Sequence, residues 1–388
     1  MKLINRFNSL NTQLGTSFHI PNLHTLILYA SSFCNAKCDF CELGLDKNNS
    51  NFFTGINSQN INTPAYMTQE LFEKIMSDEI VSKNKPRIQF VMTEPLLNKN
   101  LFSLLKLAKQ KGLYTTITSN GFLLAKRIDN IGPYLDAIQI SIDGLQDSHD
   151  KVRGEKFFIS AIDGIKKTNT LFPKIKVCVN YTLSPYTASE FLQLAHYLDN
   201  EVQITTFKIQ FMDFVSTKMK NRHNDQIEVV ASEESGFESI LEDVSKMDFD
   251  EIFSKLTEVK NSKFENIKNI RIVPDIDSPI DISDYFSEEG KPFKNHNLCN
   301  WPYNQVAINT AGDVYWHMRC YNNYKLGNLA NASLSEIFMK SKEAVEFRKS
   351  FKKNNNLFPA CARCCGSMQR TKINNPLYKK LLKPFFNI

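Results

Sequence analysis

A chain of 388 residues is too long for one ordinary compact core, so it builds either a large α/β unit with attachments or two domains, and a small stapled scaffold is excluded. Hydrophobic side chains make up 42% and charged ones 23%, with 29 Phe and 13 Tyr, enough to fill a core and too many for a disordered chain. The net charge of +6, from 47 basic and 41 acidic residues, is spread thinly, so composition gives no support to a nucleic-acid partner.

In chain order, residues 1–22 read as an N-terminal extension. It has a basic start but no apolar run of signal-peptide length, and nowhere does the chain approach the ~20 apolar residues of a membrane span. A cytoplasmic protein without a membrane span is the expectation. Residues 23–215 alternate between short β-rich runs and runs of helical period. Strands are predicted at His24 to Ala30, Arg87 to Met92, Tyr114 to Thr118, Ala137 to Ile142, Lys176 to Thr182 and Gln203 to Phe211. The polar stretch 42–66 reads as a surface loop ahead of a first helix near Thr68. Between the later strands, Phe158, Ala161, Ile162 and Ile165, then Phe191, Leu194, Ala195 and Leu198, recur at helical spacing. Strand then helix, repeated at roughly 30-residue intervals, predicts a parallel sheet curved into a partial (β/α)6 TIM-like barrel.

Residues 216–294 read as a helical linker, with apolar stripes at Phe237, Ile240, Leu241 and Val244 and at Phe249, Ile252, Phe253 and Leu256. A smaller C-terminal domain is expected over 295–368, with a hairpin through Asn309 to Gly312, followed by a basic and aromatic tail, 369–388, expected to dock as a terminal helix. His317, after two aromatics, reads as a packed or surface residue.

The nine cysteines are odd in number and unevenly grouped, which is unlike a disulfide framework and suits reduced thiols holding metal. Cys34, Cys38 and Cys41 follow the first strand within eight residues and can point at one centre. Three thiolates leave a coordination position open unless a distant fourth ligand arrives, and a structural zinc site completed that way is the alternative. Polar residues end successive strands at Glu94, at Ser119 and Asn120, at Ser141 and Asp143, and at Asn180. In a parallel barrel these ends share the face where active sites lie. Cys178, between Val177 and Val179, reads as a small buried hydrophobe.

The C-x3-C-x2-C pattern of Cys34, Cys38 and Cys41 resembles that of the radical S-adenosylmethionine (SAM) enzymes. The segment Met92-Thr93-Glu94-Pro95-Leu96-Leu97 resembles the family's Gly-Gly-Glu-Pro-Leu-Leu, with both glycines replaced. Thr118 to Gly121, Ser141 to Gly144, and His149 to Gly154 with Arg153 also resemble its SAM-binding core. The resemblance implies a [4Fe-4S] cluster on the three thiolates and SAM on the fourth iron. Reductive cleavage then yields methionine and a 5′-deoxyadenosyl radical that removes hydrogen from an unactivated C–H bond. It further implies that Glu94 contacts the SAM amino group, that Phe40 meets adenine through its backbone, and that Arg153 pairs with the SAM carboxylate, with Ser119, Asn120, Ser141, Asp143 and Asn180 completing the cofactor site.

Cys299 followed by Trp301-Pro302, then Cys320, Leu326-Gly327-Asn328 and Cys361-Ala-Arg-Cys364, resembles the SPASM domain, which carries auxiliary iron-sulfur clusters. Only five cysteines are present in this group, which implies one auxiliary [4Fe-4S] cluster on Cys299, Cys320, Cys361 and Cys364, with Cys365 the alternative to Cys364. A zinc ribbon is compatible with the same spacing. The family implies an oxidoreductase fed by an electron donor such as flavodoxin or ferredoxin and acting on a peptide or protein side chain. Dehydrogenation or epimerisation of a small polar metabolite such as an amino sugar comes second, and a non-enzymatic zinc-binding scaffold is the competing class.

Overall fold

The computed structural model describes residues 21–41, 65–227, 244–293, 299–316, 324–364 and 366. Within them the six expected strands form: β1 (Thr25–Leu28), β2 (Arg87–Phe90), β3 (Thr115–Ser119), β4 (Ala137–Ser141), β5 (Lys176–Leu183) and β6 (Thr206–Phe211). Each pairs in parallel with the next. The crossovers are helices: α1 (Gln69–Ser77), α2 (Glu79–Asn84), α3 (Leu101–Gln110), α4 (Leu124–Ile131), α5 (Gln146–Arg153), α6 (Phe157–Leu171) and α7 (Phe191–Glu201).

The period-two alternation of each strand sorts its side chains between two faces. In β5, Val177, Val179, Tyr181 and Leu183 are buried against the helices, and in β6 Phe207, Ile209 and Phe211 do the same. α6 buries Phe158, Ala161, Ile162 and Ile165, the stripe read from the sequence. Gly164 lets α6 close on α4, since a Cβ there would lie 2.7 Å from the Leu124 Cβ.

The same alternation corrects the reading of Cys178. With Val177 and Val179 turned to the helices, Cys178 turns to the opposite, concave face, where it is half-buried and bonds to the Thr206 side chain. Its register partners are Gln139 on one side and Thr206 on the other.

The sheet is larger than six strands. β7 (Ile270–Val273) adds in parallel to β6, so the stretch read as a helical linker also supplies a strand. Its helices are α8 (Thr217–Gln226), α9 (Phe249–Asn261) and α10 (Pro279–Tyr285). The other expected helix, through Phe237, Ile240 and Leu241, lies outside the described residues.

On the opposite edge β8 (Gln305–Ile308) pairs in parallel with β1, Leu26 opposite Val306 and Leu28 opposite Ile308. It turns back through Asn309 to Gly312 into β9 (Asp313–Tyr315), which pairs with β10 (Gly327–Asn328). Asn309 shapes that turn by accepting from Ala311 N at 3.0 Å and Asp313 N at 2.9 Å. One ten-stranded sheet therefore runs from the C-terminal hairpin through the barrel. Helices α11 (Trp301–Asn304), α12 (Leu334–Lys340) and α13 (Lys342–Lys353) pack around the hairpin end. Asp78 caps α2 through Ile80 N at 2.9 Å and receives Ser335 N at 3.1 Å, which ties α12 to the barrel. His317, Cys320, Cys365 and the tail 369–388 lie outside the described residues.

Candidate functional site

The parallel strands bring the ends of β1 to β4 to one edge, and the cysteine loop lies across them. Thr93 Oγ1 donates to Ser31 O at 2.6 Å, and Asn98 Nδ2 donates to Ala30 O at 2.9 Å and Met67 O at 3.1 Å, so the end of β2 fixes the entry to the loop. A turn, Cys41 N to Cys38 O at 3.1 Å, brings the last two thiols together. Cys34, Cys38 and Cys41 share one packed cluster with Ala36, Phe40, Phe122 and Phe157. The Phe122 and Phe157 rings stack with centroids 4.6 Å apart.

Two donors reach the sulfurs. Asn120 Nδ2 lies 3.9 Å from Cys34 Sγ and 2.9 Å from Asn35 Oδ1, and Arg153 Nη1 lies 3.5 Å from Cys38 Sγ. Burial pushes the Cys34 thiol up to about 12 and the Cys38 thiol up to about 11. Thiolates in such a place need strong positive charge beside them. The three thiols also act on one another electrostatically, although among the described residues no group of three His, Cys, Asp or Glu side chains is arranged to hold a single metal ion. A [4Fe-4S] cluster needs a wider spacing, with one thiolate to each iron.

Around the thiols the other predicted residues form a connected polar rim. Glu94 is 1% exposed, and its Oε1 accepts from Leu96 N at 3.0 Å and Ser119 Oγ at 2.9 Å, its Oε2 from Asn120 N at 2.8 Å. Burial outweighs these bonds and pushes its carboxyl up to about 7. Met92, the first of the two positions where the resembled segment has glycine, holds φ at +88°, a backbone region that favours glycine. Asp143 is fully buried. Its Oδ1 accepts from Thr182 N at 2.7 Å, and its Oδ2 pairs with Arg153 Nε.

The Arg153 guanidinium thus faces Asp143 and Cys38, and lies 5.5 Å from the Phe40 ring. Ser141 pairs with Asn180 across β4 and β5, and Asn180 Nδ2 donates to Gln139 Oε1 at 3.0 Å, one step down the concave face.

A second thiol group gathers at the start of α11. Cys299 is buried, and Cys361 and Cys364 act on it electrostatically; burial raises its thiol well above the ordinary range. Trp301 N donates to Cys299 Sγ at 3.5 Å, Cys299 N to Asn356 O at 2.9 Å, and Cys364 N to Cys361 O at 3.1 Å.

Residues 28–198 match the family described as the radical SAM superfamily, and residues 299–365 match the iron-sulfur cluster-binding SPASM domain. The chain thus carries a radical SAM domain followed by a SPASM domain. Its fold resembles that of SuiB from Streptococcus suis bound to S-adenosylmethionine, with a TM-score of 0.57 at 17% identity over 84% of this chain and 68% of SuiB. It is also similar to anSMEcpe with bound AdoMet, with a TM-score of 0.56 at 17% identity over 94% and 96% of the two chains. The Fe-coproporphyrin III synthase of Methanosarcina barkeri is 30% identical over 133 residues, which span 33% of this chain and only 32% of the synthase.

In this radical SAM core, a buried and two half-buried thiols with two side-chain donors and an aromatic shield suit a [4Fe-4S] cluster, whose properties depend on such bonds and on solvent exclusion. The radical SAM domain brings SAM as the companion cofactor, and the SPASM domain brings an auxiliary cluster. Among the described residues no helix is long and apolar enough to cross a membrane.

Sequence reasoning missed Lys208 and Gln210, whose side chains bond to each other on the concave face of β6. Their signal was the strict alternation with Phe207, Ile209 and Phe211.

It also missed His149, whose Nδ1 accepts from Asp143 N at 3.0 Å and so must be unprotonated. Burial first, then Arg153, lowers its pKa to about 4. The unfolded chain takes up this proton near 6.5, so the contribution is fully present above that pH and declines as pH falls toward 4. The loss is about 1.4 kcal/mol per pH unit. Anaerobic urea midpoints are therefore expected to fall between about pH 7 and pH 5, and His149→Gln to flatten that slope. An equally steep slope in the variant assigns the acid sensitivity elsewhere.

Proposed function

We propose that the chain oxidises or crosslinks a side chain of a peptide or protein substrate through hydrogen abstraction. The observation that carries this reading is the second thiol group, buried Cys299 with half-buried Cys361 and Cys364, in which the strand after Cys299, β8, lies directly beside β1. When bound, the two clusters supply a one-electron donor for cleaving the SAM sulfonium to a hydrogen-abstracting radical and an acceptor for the second electron of a net oxidation. SuiB, which shares the fold, is also known in complex with its precursor peptide SuiA, which supports a peptide as substrate. Flavodoxin or ferredoxin fits as the reductant.

The protein's own part is placement and exclusion of water. Cys34, Cys38 and Cys41 would hold the first cluster, with Phe40, Phe122 and Phe157 keeping solvent out. Glu94 would orient the SAM amino group, and Arg153, Ser119, Asn120, Ser141, Asp143 and Asn180 the rest of the cofactor. Glu94→Gln would turn an amide donor toward Asn120 N or Ser119 Oγ, losing about 1–3 kcal/mol. SAM affinity is expected to fall about tenfold, the lower end of that range. Equilibrium dialysis checks this, and unchanged affinity counts against a role for Glu94.

The deciding experiment incubates the reduced enzyme with SAM and a candidate peptide encoded beside its gene, read by mass spectrometry. A loss of two hydrogens from the peptide is expected. A second reading, dehydrogenation or epimerisation of a small polar metabolite, is favoured by the polar concave row of Gln139, Asn180, Lys208 and Gln210. Turnover of an amino sugar with an unmodified peptide would decide for it. The zinc scaffold has no support from either family match.

A further inference from the structure

Asn120 joins the two halves of the barrel site through different atoms. Its backbone N donates to Glu94 Oε2 at 2.8 Å, while its side chain turns to the cysteine loop. There Oδ1 accepts from Phe122 N at 3.0 Å, Nδ2 donates to Asn35 Oδ1 at 2.9 Å, and the same nitrogen lies 3.9 Å from Cys34 Sγ. A carboxamide carries two N–H bonds on its nitrogen and none on its oxygen. Phe122 N fixes which end is the oxygen, Asn35 takes one N–H, and the second is left facing the Cys34 sulfur. Asn120 is 5% exposed, which leaves little water to replace any of these partners.

Asn35 stands next to Cys34, yet the path of the loop does not depend on its side chain. Glu94 N donates to Phe33 O at 3.3 Å and Lys37 N to Arg153 O at 3.3 Å, so backbone bonds hold the chain on both sides of it. Ala36 N also donates to the Cys34 thiol, which folds the loop back over that sulfur. Among the described residues the Asn35 side chain bonds to Asn120 alone. The donor on the next ligand is independent of it: Arg153 Nη1 lies 3.5 Å from Cys38 Sγ, and its guanidinium is held by Asp143.

We propose that Asn35 is a positioning residue for radical generation: it turns the Asn120 amide onto the Cys34 sulfur, and that donor raises the reduction potential of the barrel cluster. This rests on reading Cys34, Cys38 and Cys41 as that cluster's ligands. A hydrogen bond to a ligating sulfur draws off part of its charge, and the cluster gains one negative charge on reduction, so the donor favours the reduced form. In the balanced step one electron leaves a reductant of the flavodoxin or ferredoxin class and enters the cluster, with no bond made or broken. The Glu94 contact uses the backbone of Asn120 and the sulfur contact its side chain, so one residue serves both halves of the site. This role is the same for a peptide and for a small polar substrate.

The test uses the anaerobically reconstituted full chain without SAM or substrate, with iron counted first and both midpoints read by EPR-monitored redox titration. Asn35→Ala and Asn120→Ala are each expected to lower the barrel cluster's midpoint by about 30 mV, a threefold shift in a one-electron equilibrium, and to leave the auxiliary midpoint in place. The double variant should fall no further than Asn120→Ala alone, because Asn35 acts through that amide. Unchanged barrel midpoints, or equal shifts of both clusters, overturn the donor role. Additive drops overturn the positioning role, since Asn35 would then act on the cluster by itself. Should an alanine variant fail to load the barrel cluster, the serine variant at that position is titrated in its place; failure of both marks the side chain as part of the loop's fold and overturns the proposal. A wild-type chain with no barrel-cluster signal overturns the ligand reading instead.

Discussion

Cys38→Ala is expected to remove about four of the roughly eight iron atoms per chain and to abolish 5′-deoxyadenosine release from SAM. The thiol is buried beside Arg153, within a loop held by the end of β2, and its loss leaves two of the three thiolates for that cluster. Cys299→Ala should show the opposite pattern. It removes a comparable share of the iron but spares the uncoupled cleavage measured without substrate, because the barrel thiols sit on a different loop with their own donors, Asn120 and Arg153. Turnover of the true substrate should then be impaired while 5′-deoxyadenosine still forms. Iron and sulfide analysis after anaerobic purification, with chromatography of the nucleoside product, reads both variants. Loss of nucleoside release in both would contradict a purely auxiliary second site, and zinc without sulfide in the wild-type chain would remove the basis for either result.

The barrel was legible in the sequence because its signal is local. Strands β2 and β4 begin at the residues that alternation indicates, and the stripe of Phe158, Ala161, Ile162 and Ile165 forms the buried face of α6. The polar strand ends were legible too, since a parallel sheet sends each of them to the same edge. What the sequence concealed depends on distant partners. β7 is four residues of mixed pattern ahead of a proline, and only pairing with β6 makes it a strand. β8 is buried throughout, as its parallel pairing with β1 requires, yet the two are separated by most of the chain. Cys178 was misread through its apolar neighbours, although those neighbours are what force it to the other face. The burial of Arg348 and Arg363 was equally hidden, because an arginine in a polar stretch carries no sign that its guanidinium will be enclosed.

Asp143→Ala is expected to destabilise the protein by about 3–5 kcal/mol, as removal of one member of a buried ion pair does. Asp143 is fully buried and joins β5 to α5 through three partners, receiving Thr182 N from β5, pairing with Arg153 at the end of α5 and donating its own N to His149 on the same helix. Without its carboxylate, Thr182 N loses its acceptor and the Arg153 guanidinium loses its ion-pair partner, keeping the Cys38 sulfur and the Phe40 face. The remedy follows from the same account. In the double variant Asp143→Ala with Arg153→Met, the stranded charge is gone and part of the lost stability should return, so the two single effects should sum to more than the double. Anaerobic thermal unfolding of the four proteins measures this. Strict additivity would mean that Asp143 acts through its backbone neighbours alone and that Arg153 is held by the thiol. In the expected case, the coupling shows that one carboxylate holds the guanidinium against the first cluster's ligand and so sets the charge beside it before SAM arrives.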